Sequence, residues 1–146
     1  MKNNLNYYTH YANSHNHWKF KLLRSKYGWA GEGRFWALNN MIADSDQCTL
    51  NLARKNIKAT VANDLNFTLQ ELDEFITFLV QDAELIKVIG HLYYTENVRD
   101  DYQKVLKERE AARARKIKSS SELLKNSSKL FSISPERNNR DRYRER

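Results

Sequence analysis

Breakers and cysteines are scarce in this chain of 146 residues. Cys48 is the only cysteine, which excludes an internal disulfide and any multi-cysteine zinc site. Pro135 is the only proline, and three of the four glycines, Gly28, Gly31 and Gly33, fall within six residues. Positions 34–89 contain neither breaker, which favours helices. No apolar run approaches the roughly 20 residues of a membrane span. Positions 1–11 are Asn-rich with no apolar h-region, so no signal peptide is expected. The expectation is a soluble protein of a reducing compartment, the cytoplasm. There is also no G-x-x-x-x-G-K-[ST] loop, no nucleophile elbow and no pair of catalytic carboxylates, and Gly31-Glu32-Gly33 is too short to cradle a phosphate. No catalytic residue, metal or cofactor is expected.

Charge is what the chain does carry, and it is unevenly spread. The formal net charge is +7, from 25 Lys and Arg against 18 Asp and Glu. Residues 1–98 balance ten basic against ten acidic side chains, so the whole excess lies in 99–146. Within the front part, 1–67 is net +5 and 68–98 is net −5. Such asymmetry speaks to partners rather than to fold.

Apolar spacing predicts a helix over 16–27 with Trp18, Leu22, Leu23 and Tyr27 inward, ended by Gly28. A second helix follows over 31–43, carrying Phe35, Trp36, Leu38, Met41 and Ile42. Cys48, Leu50 and Leu52 alternate in a brief strand at 47–52, and Ala53, Ile57, Val61 and Leu65 mark a third helix at 52–65. The fourth helix has the clearest start. Thr68 and Glu71 make a T-x-x-E capping box, flanked by Phe67 and Leu72 at the positions of a hydrophobic staple. Leu69, Leu72, Ile76 and Leu79 form its expected buried stripe. Positions 85–88 and 91–94 read as a β-hairpin with Ile89-Gly90 at its tip, and a charged helix follows from Asn97 to about 117. Strand, two helices joined by a tight turn and a hairpin come in the order of a winged helix-turn-helix. The expected class is therefore mainly α with a small β-hairpin. The expected division is a winged-helix domain at 1–98, a charged C-terminal helix at 99–118 and a basic disordered tail at 119–146. The serines at 119–121 end the helix in this reading, and the Ser-, Asn- and Arg-rich remainder buries too little apolar surface to order itself.

One stretch is more specific than these patterns. Lys26-Tyr27-Gly28-Trp29-Ala30-Gly31-Glu32-Gly33-Arg34-Phe35-Trp36-Ala37-Leu38, with His10, Asn13, Lys19 and Leu23 upstream, resembles the N-terminal winged-helix domain of phage and prophage replication proteins, often found ahead of DnaD-like helicase-loading modules. Tyr11 and His17 stand where that pattern has acidic residues, and Glu32 where it has an aromatic. The resemblance spans about two-thirds of the chain, without a DnaD-like second module. It implies DNA association during replication initiation in a bacterial host cytoplasm, with no enzymatic reaction, and a replisome or helicase-loading protein as a further partner.

Candidate DNA contacts follow from the basic positions. Lys19, Lys21, Arg24 and Lys26 on the first helix and Arg54, Lys55 and Lys58 on the third suit phosphates. So do Arg113, Arg115, Lys116 and Lys118, and in the tail Arg137, Arg140, Arg142, Arg144 and Arg146, with Tyr143 able to stack on a base. The alternative for each is a solvated face. Glu71, Asp73 and Glu74 crowd the first turns of the presumed recognition helix. Glu71 is explained as a cap, and Asp73 and Glu74 would repel a DNA backbone, so the three are assigned to a protein partner. A solvated face is the alternative, and a transcriptional regulator on the same fold is a further reading. His10, His15 and His17 lack a neighbouring carboxylate, and a polar helix start explains them better than zinc does. Trp18, Trp29 and Trp36 are expected to be packing residues.

Overall fold

The computed structural model describes residues 3–133, and side-chain surroundings up to 126. The chain divides into two units, Met1–Lys104 and Val105–Arg146.

In the first unit, a 3-10 turn at Ser14–Asn16 leads into α1, Trp18–Asp44. Its start is capped by His17, whose ring nitrogen accepts from the Lys19 N–H at 3.3 Å. The expected break at Gly28 is present: this glycine adopts φ 70° and ψ −169°, so α1 has two limbs on either side of a kink. The second limb starts at Trp29, two residues before the expected position. A strand β1 (Leu50–Asn51), helices α2 (Lys55–Asp64) and α3 (Leu69–Gln81), and strands β2 (Lys87–Ile89) and β3 (Leu92–Tyr94) follow. Helix α4, Glu96–Ile133, begins in this unit.

The three strands form an antiparallel sheet in the order β1-β3-β2, with Leu50 opposite Tyr93 and Val88 opposite that same residue on the other side. Strand β1 is shorter than its alternation suggested, because Gln47 and Cys48 take positive φ in a tight turn. The hairpin tip is Gly90-His91, one residue later than expected, since Ile89 pairs with Leu92. Gly90 at φ 62° takes the first central position that such a two-residue loop reserves for glycine.

Helix α3 starts as its sequence dictates. The Thr68 hydroxyl accepts from the Glu71 N–H at 3.1 Å, and the Glu71 carboxylate accepts from the Thr68 N–H at 2.9 Å. Its buried face is Leu72, Phe75, Ile76, Phe78 and Leu79. Leu69, expected in that stripe, is 52% exposed, because at the first helical position it lies beyond the packed surface. Leu23, Leu38, Ile42, Ile86 and Val98 complete the core. The N-terminal arm joins it through Leu5, whose N–H donates to the Ala43 carbonyl at 2.8 Å. Within the core, the Thr95 hydroxyl donates to the Asn39 Oδ1, while the Asn39 Nδ2 has no hydrogen-bond partner among the described residues.

The largest departure from expectation is α4, which continues through the serines at 119–121 to Ile133 rather than ending near 117; positions 134–146 of the expected tail lie outside the described residues. Serine is only a mediocre helix former, not a breaker, and no glycine or proline occurs between Gly90 and Pro135. Charges four apart, Asp100 with Lys104 and Lys118 with Glu122, lie along shared faces. No helix among the described residues is long and apolar enough to cross a membrane.

Candidate nucleic-acid interface

The first limb of α1 carries most of the candidate cations, and its packing sorts them. Lys21 and Lys26 are exposed and make no ion pair among the described residues. The Lys26 ammonium lies 4.8 Å from the centre of the Phe78 ring and 5.7 Å from that of Tyr27. Lys19 is half-buried and donates to the Glu84 carbonyl at 3.0 Å. Arg24 is withdrawn from solvent. Its guanidinium donates to the Glu32 carboxylate at 3.0 Å and to the His15 carbonyl at 2.7 Å, and lies 4.6 Å from the centre of the Trp29 ring. With 18% of its side chain exposed, Arg24 is engaged within the protein and stands apart from the exposed cations of this limb.

Helix α2 divides in the same way. Arg54, at its N-cap, and Lys55 are exposed, whereas the Lys58 ammonium is paired with the Asp73 carboxylate of α3 at 2.6 Å. Asp73 therefore has a partner within its own chain, and Glu71 is committed to the cap. The bonds it accepts from Thr68 hold the Glu71 carboxyl below its usual range. Only Glu74 of the three expected partner-binding acids stays outside such an arrangement; it accepts from Gln70 one turn before it and raises the Tyr27 hydroxyl, already raised by burial, through its negative charge.

In the second unit, Arg113, Arg115, Lys116 and Lys118 are all exposed on α4. Arg137, Arg140, Arg142, Arg144 and Arg146, together with Tyr143, lie outside the described residues.

Arg34, which the spacing of charges did not single out, donates to the Leu65 carbonyl at 2.9 Å and lies over the Phe67 ring at 4.2 Å. It satisfies the C-terminus of α2 and steadies the turn before α3. The partners are 31 positions apart, beyond any local pattern.

The tryptophans do not share one role. Trp36 is half-buried, stacked on Phe20 with centres 5.2 Å apart and met edge-on by His10. Trp18 and Trp29 are not packing residues as expected: they are 51% and 70% exposed. Phe20, not Trp18, is the inward residue at the start of α1, and the kink at Gly28 releases Trp29 from the helical spacing. The histidines are dispersed, His10 against Trp36, His15 bonded to the Ala12 carbonyl and His17 at the helix cap. No group of three metal-ligating side chains occurs among the described residues. Comparison of the chain with protein-family models, with curated proteins and with solved structures finds no match.

Proposed function

We propose that this protein is a nucleic-acid-binding accessory or initiator of phage-type DNA replication, built as a winged helix and contacting DNA through phosphates. The observation that carries the reading is the set of exposed cations with no ion pair among the described residues: Lys21 and Lys26 on α1, Arg54 and Lys55 at the start of α2, and Arg113, Arg115, Lys116 and Lys118 on α4. Such cations bind a polyanion by releasing its condensed counterions. The topology supports the fold: β1 precedes two helices joined by a short turn, and then pairs with the hairpin that follows them. The resemblance of the glycine-tryptophan stretch supports the replication context. The acidic α3 is a poor base reader, so binding is expected to be weakly sequence-selective.

Fluorescence anisotropy with a DNA duplex across a salt series tests this. Each phosphate contact contributes a slope of about −0.9 to log K against log salt. Replacing Lys21, Lys26, Arg54 and Lys55 by glutamine together is expected to flatten the slope by roughly 3.6. A duplex that fails to bind at low salt, or an unchanged slope in that variant, overturns the proposal. The exposed Leu69 beside Gln70 and Glu74 favours a second reading, in which α3 docks a replisome or regulatory protein.

A further inference from the structure

The exposure of Trp29 is built, not incidental. A tryptophan that leaves 70% of its surface in water gives up the burial that usually decides where tryptophan sits. Here three features hold it out. Gly28, at φ 70° and ψ −169°, turns the chain immediately before it, in a conformation that glycine almost alone adopts. The Arg24 guanidinium lies against the Trp29 ring at 4.6 Å. Arg24 is in turn held by the buried Glu32 at 3.0 Å and by the His15 carbonyl at 2.7 Å. One face of the indole thus rests on an anchored cation. The other is available.

The charge around it is one-sided. Positions 1–31 contain no Asp or Glu at all, and Glu32, the first acid in the chain, is consumed by Arg24. Lys26 stands three residues before Trp29, and Lys21 a further turn back. On the same limb, Trp18 and Leu22 are also exposed, at the one-turn spacing that shares a helix face. Exposed aromatic rings among uncommitted cations suit a ligand that alternates flat π surfaces with negative charge. A single-stranded nucleic acid has that chemistry, and a duplex, whose bases are already stacked, does not offer its rings.

From this arrangement we infer that Trp29 is a stacking platform for an unpaired base of single-stranded DNA, with Lys21 and Lys26 on the flanking phosphates and Arg24 and Glu32 as positioning residues. The inference rests on the nucleic-acid reading above and adds to it a strand preference and a site. It explains why the Arg24-to-Glu32 segment combines a kink, an outward indole and an internal ion pair in nine residues.

The test compares three ligands by anisotropy on the full chain: oligothymidylate, an abasic oligomer of the same length, and a duplex. The variants are Trp29→Leu, which keeps apolar bulk, and Trp29→Phe, which keeps a ring. Far-UV circular dichroism verifies that each is folded. The wild-type chain is expected to bind oligothymidylate roughly 5- to 150-fold more tightly than the abasic oligomer, the range of one stacked base. Trp29→Leu is expected to lose most of that preference while binding the abasic oligomer and the duplex as before, and Trp29→Phe to keep most of it. Equal binding of thymidylate and abasic oligomer by the wild type, or full preference in Trp29→Leu, overturns the platform and leaves duplex binding standing. Failure to bind any of the three at low salt overturns the nucleic-acid reading and the platform together.

Discussion

The three clustered glycines offer a controlled set of perturbations, because each meets a different obstacle to a methyl group. Gly28 has open space around the site of a Cβ, with nothing within 4 Å, but its φ of +70° with ψ near −169° is hostile to any other residue. Alanine there costs about 1–3 kcal/mol in backbone strain alone. Gly31 has an ordinary helical backbone, but an added Cβ would stand 2.2 Å from the Tyr27 Cβ. Tyr27 yields poorly, since its ring packs edge-on against Phe75 and Phe78 with centres 5.1 and 5.4 Å away. Overpacking of this kind costs about 1–3 kcal/mol. The better helix propensity of alanine returns about 0.5–1 kcal/mol of that. Gly33 has neither strain nor neighbours within 4 Å, so Gly33→Ala keeps the propensity gain and stabilises by about 0.5–1 kcal/mol. Urea unfolding followed by tryptophan fluorescence reads the series, since Trp18, Trp29 and Trp36 all lie on α1. With a slope of about 1–3 kcal/mol/M for a small domain, Gly28→Ala lowers the midpoint by roughly 0.5–1.5 M, and Gly31→Ala, with its propensity gain returned, by roughly 0.3–1 M. Gly33→Ala raises it by a few tenths. An unaltered midpoint in Gly28→Ala, or a fall in Gly33→Ala like that in Gly31→Ala, refutes the local geometry argued for this segment.

Three further predictions concern titrating or capping groups. Thr68→Ala removes the α3 cap and is expected to cost about 0.5–2 kcal/mol in urea unfolding. Because bonds from Thr68 lower the folded-state value of Glu71, its stabilisation is complete above the ordinary carboxyl range and is lost as pH falls through that lowered value. The difference between wild type and Glu71→Gln should therefore close in acid; a constant difference down to the acid transition speaks against the cap as its source. Burial pushes the Cys48 thiol up to about 11, and its sulfur donates to the Ala43 carbonyl at 3.5 Å. A disulfide reagent at mildly alkaline pH is expected to leave the native thiol untouched and to modify it promptly in urea, whereas rapid native-state reaction contradicts its burial.

The contacts that were legible beforehand are those made within a few residues. Thr68 and Glu71 are one turn apart, so the capping box was readable as letters, and Gly28 ended a helical stripe where only glycine suits the backbone. The hairpin was visible in its alternation, though its tip slipped by one because the short apolar run 85–94 does not mark its own register. Arg24 with Glu32 was not legible. Eight residues separate them, and on an unbroken helix that spacing is two turns; the kink and the fold around it bring the charges together. Lys58 with Asp73 and Arg34 with Leu65 join separate elements, and no periodicity reports them.

The sequence by itself determined where α1 breaks, how α3 begins, which segments are helical in the first hundred residues and how charge is distributed along the chain. These follow from backbone sterics and hydrogen bonds that neighbouring residues make among themselves. Only the tertiary structure decided which cations remain free and which tryptophans face water. Arg24 and Lys58 look like surface cations in the sequence and are ion-paired in the fold, while Trp18 and Trp29 look like core and stand outside it. The physical reason is the same in each case. The fate of a long side chain depends on which elements close around it, and those elements come from distant parts of the chain.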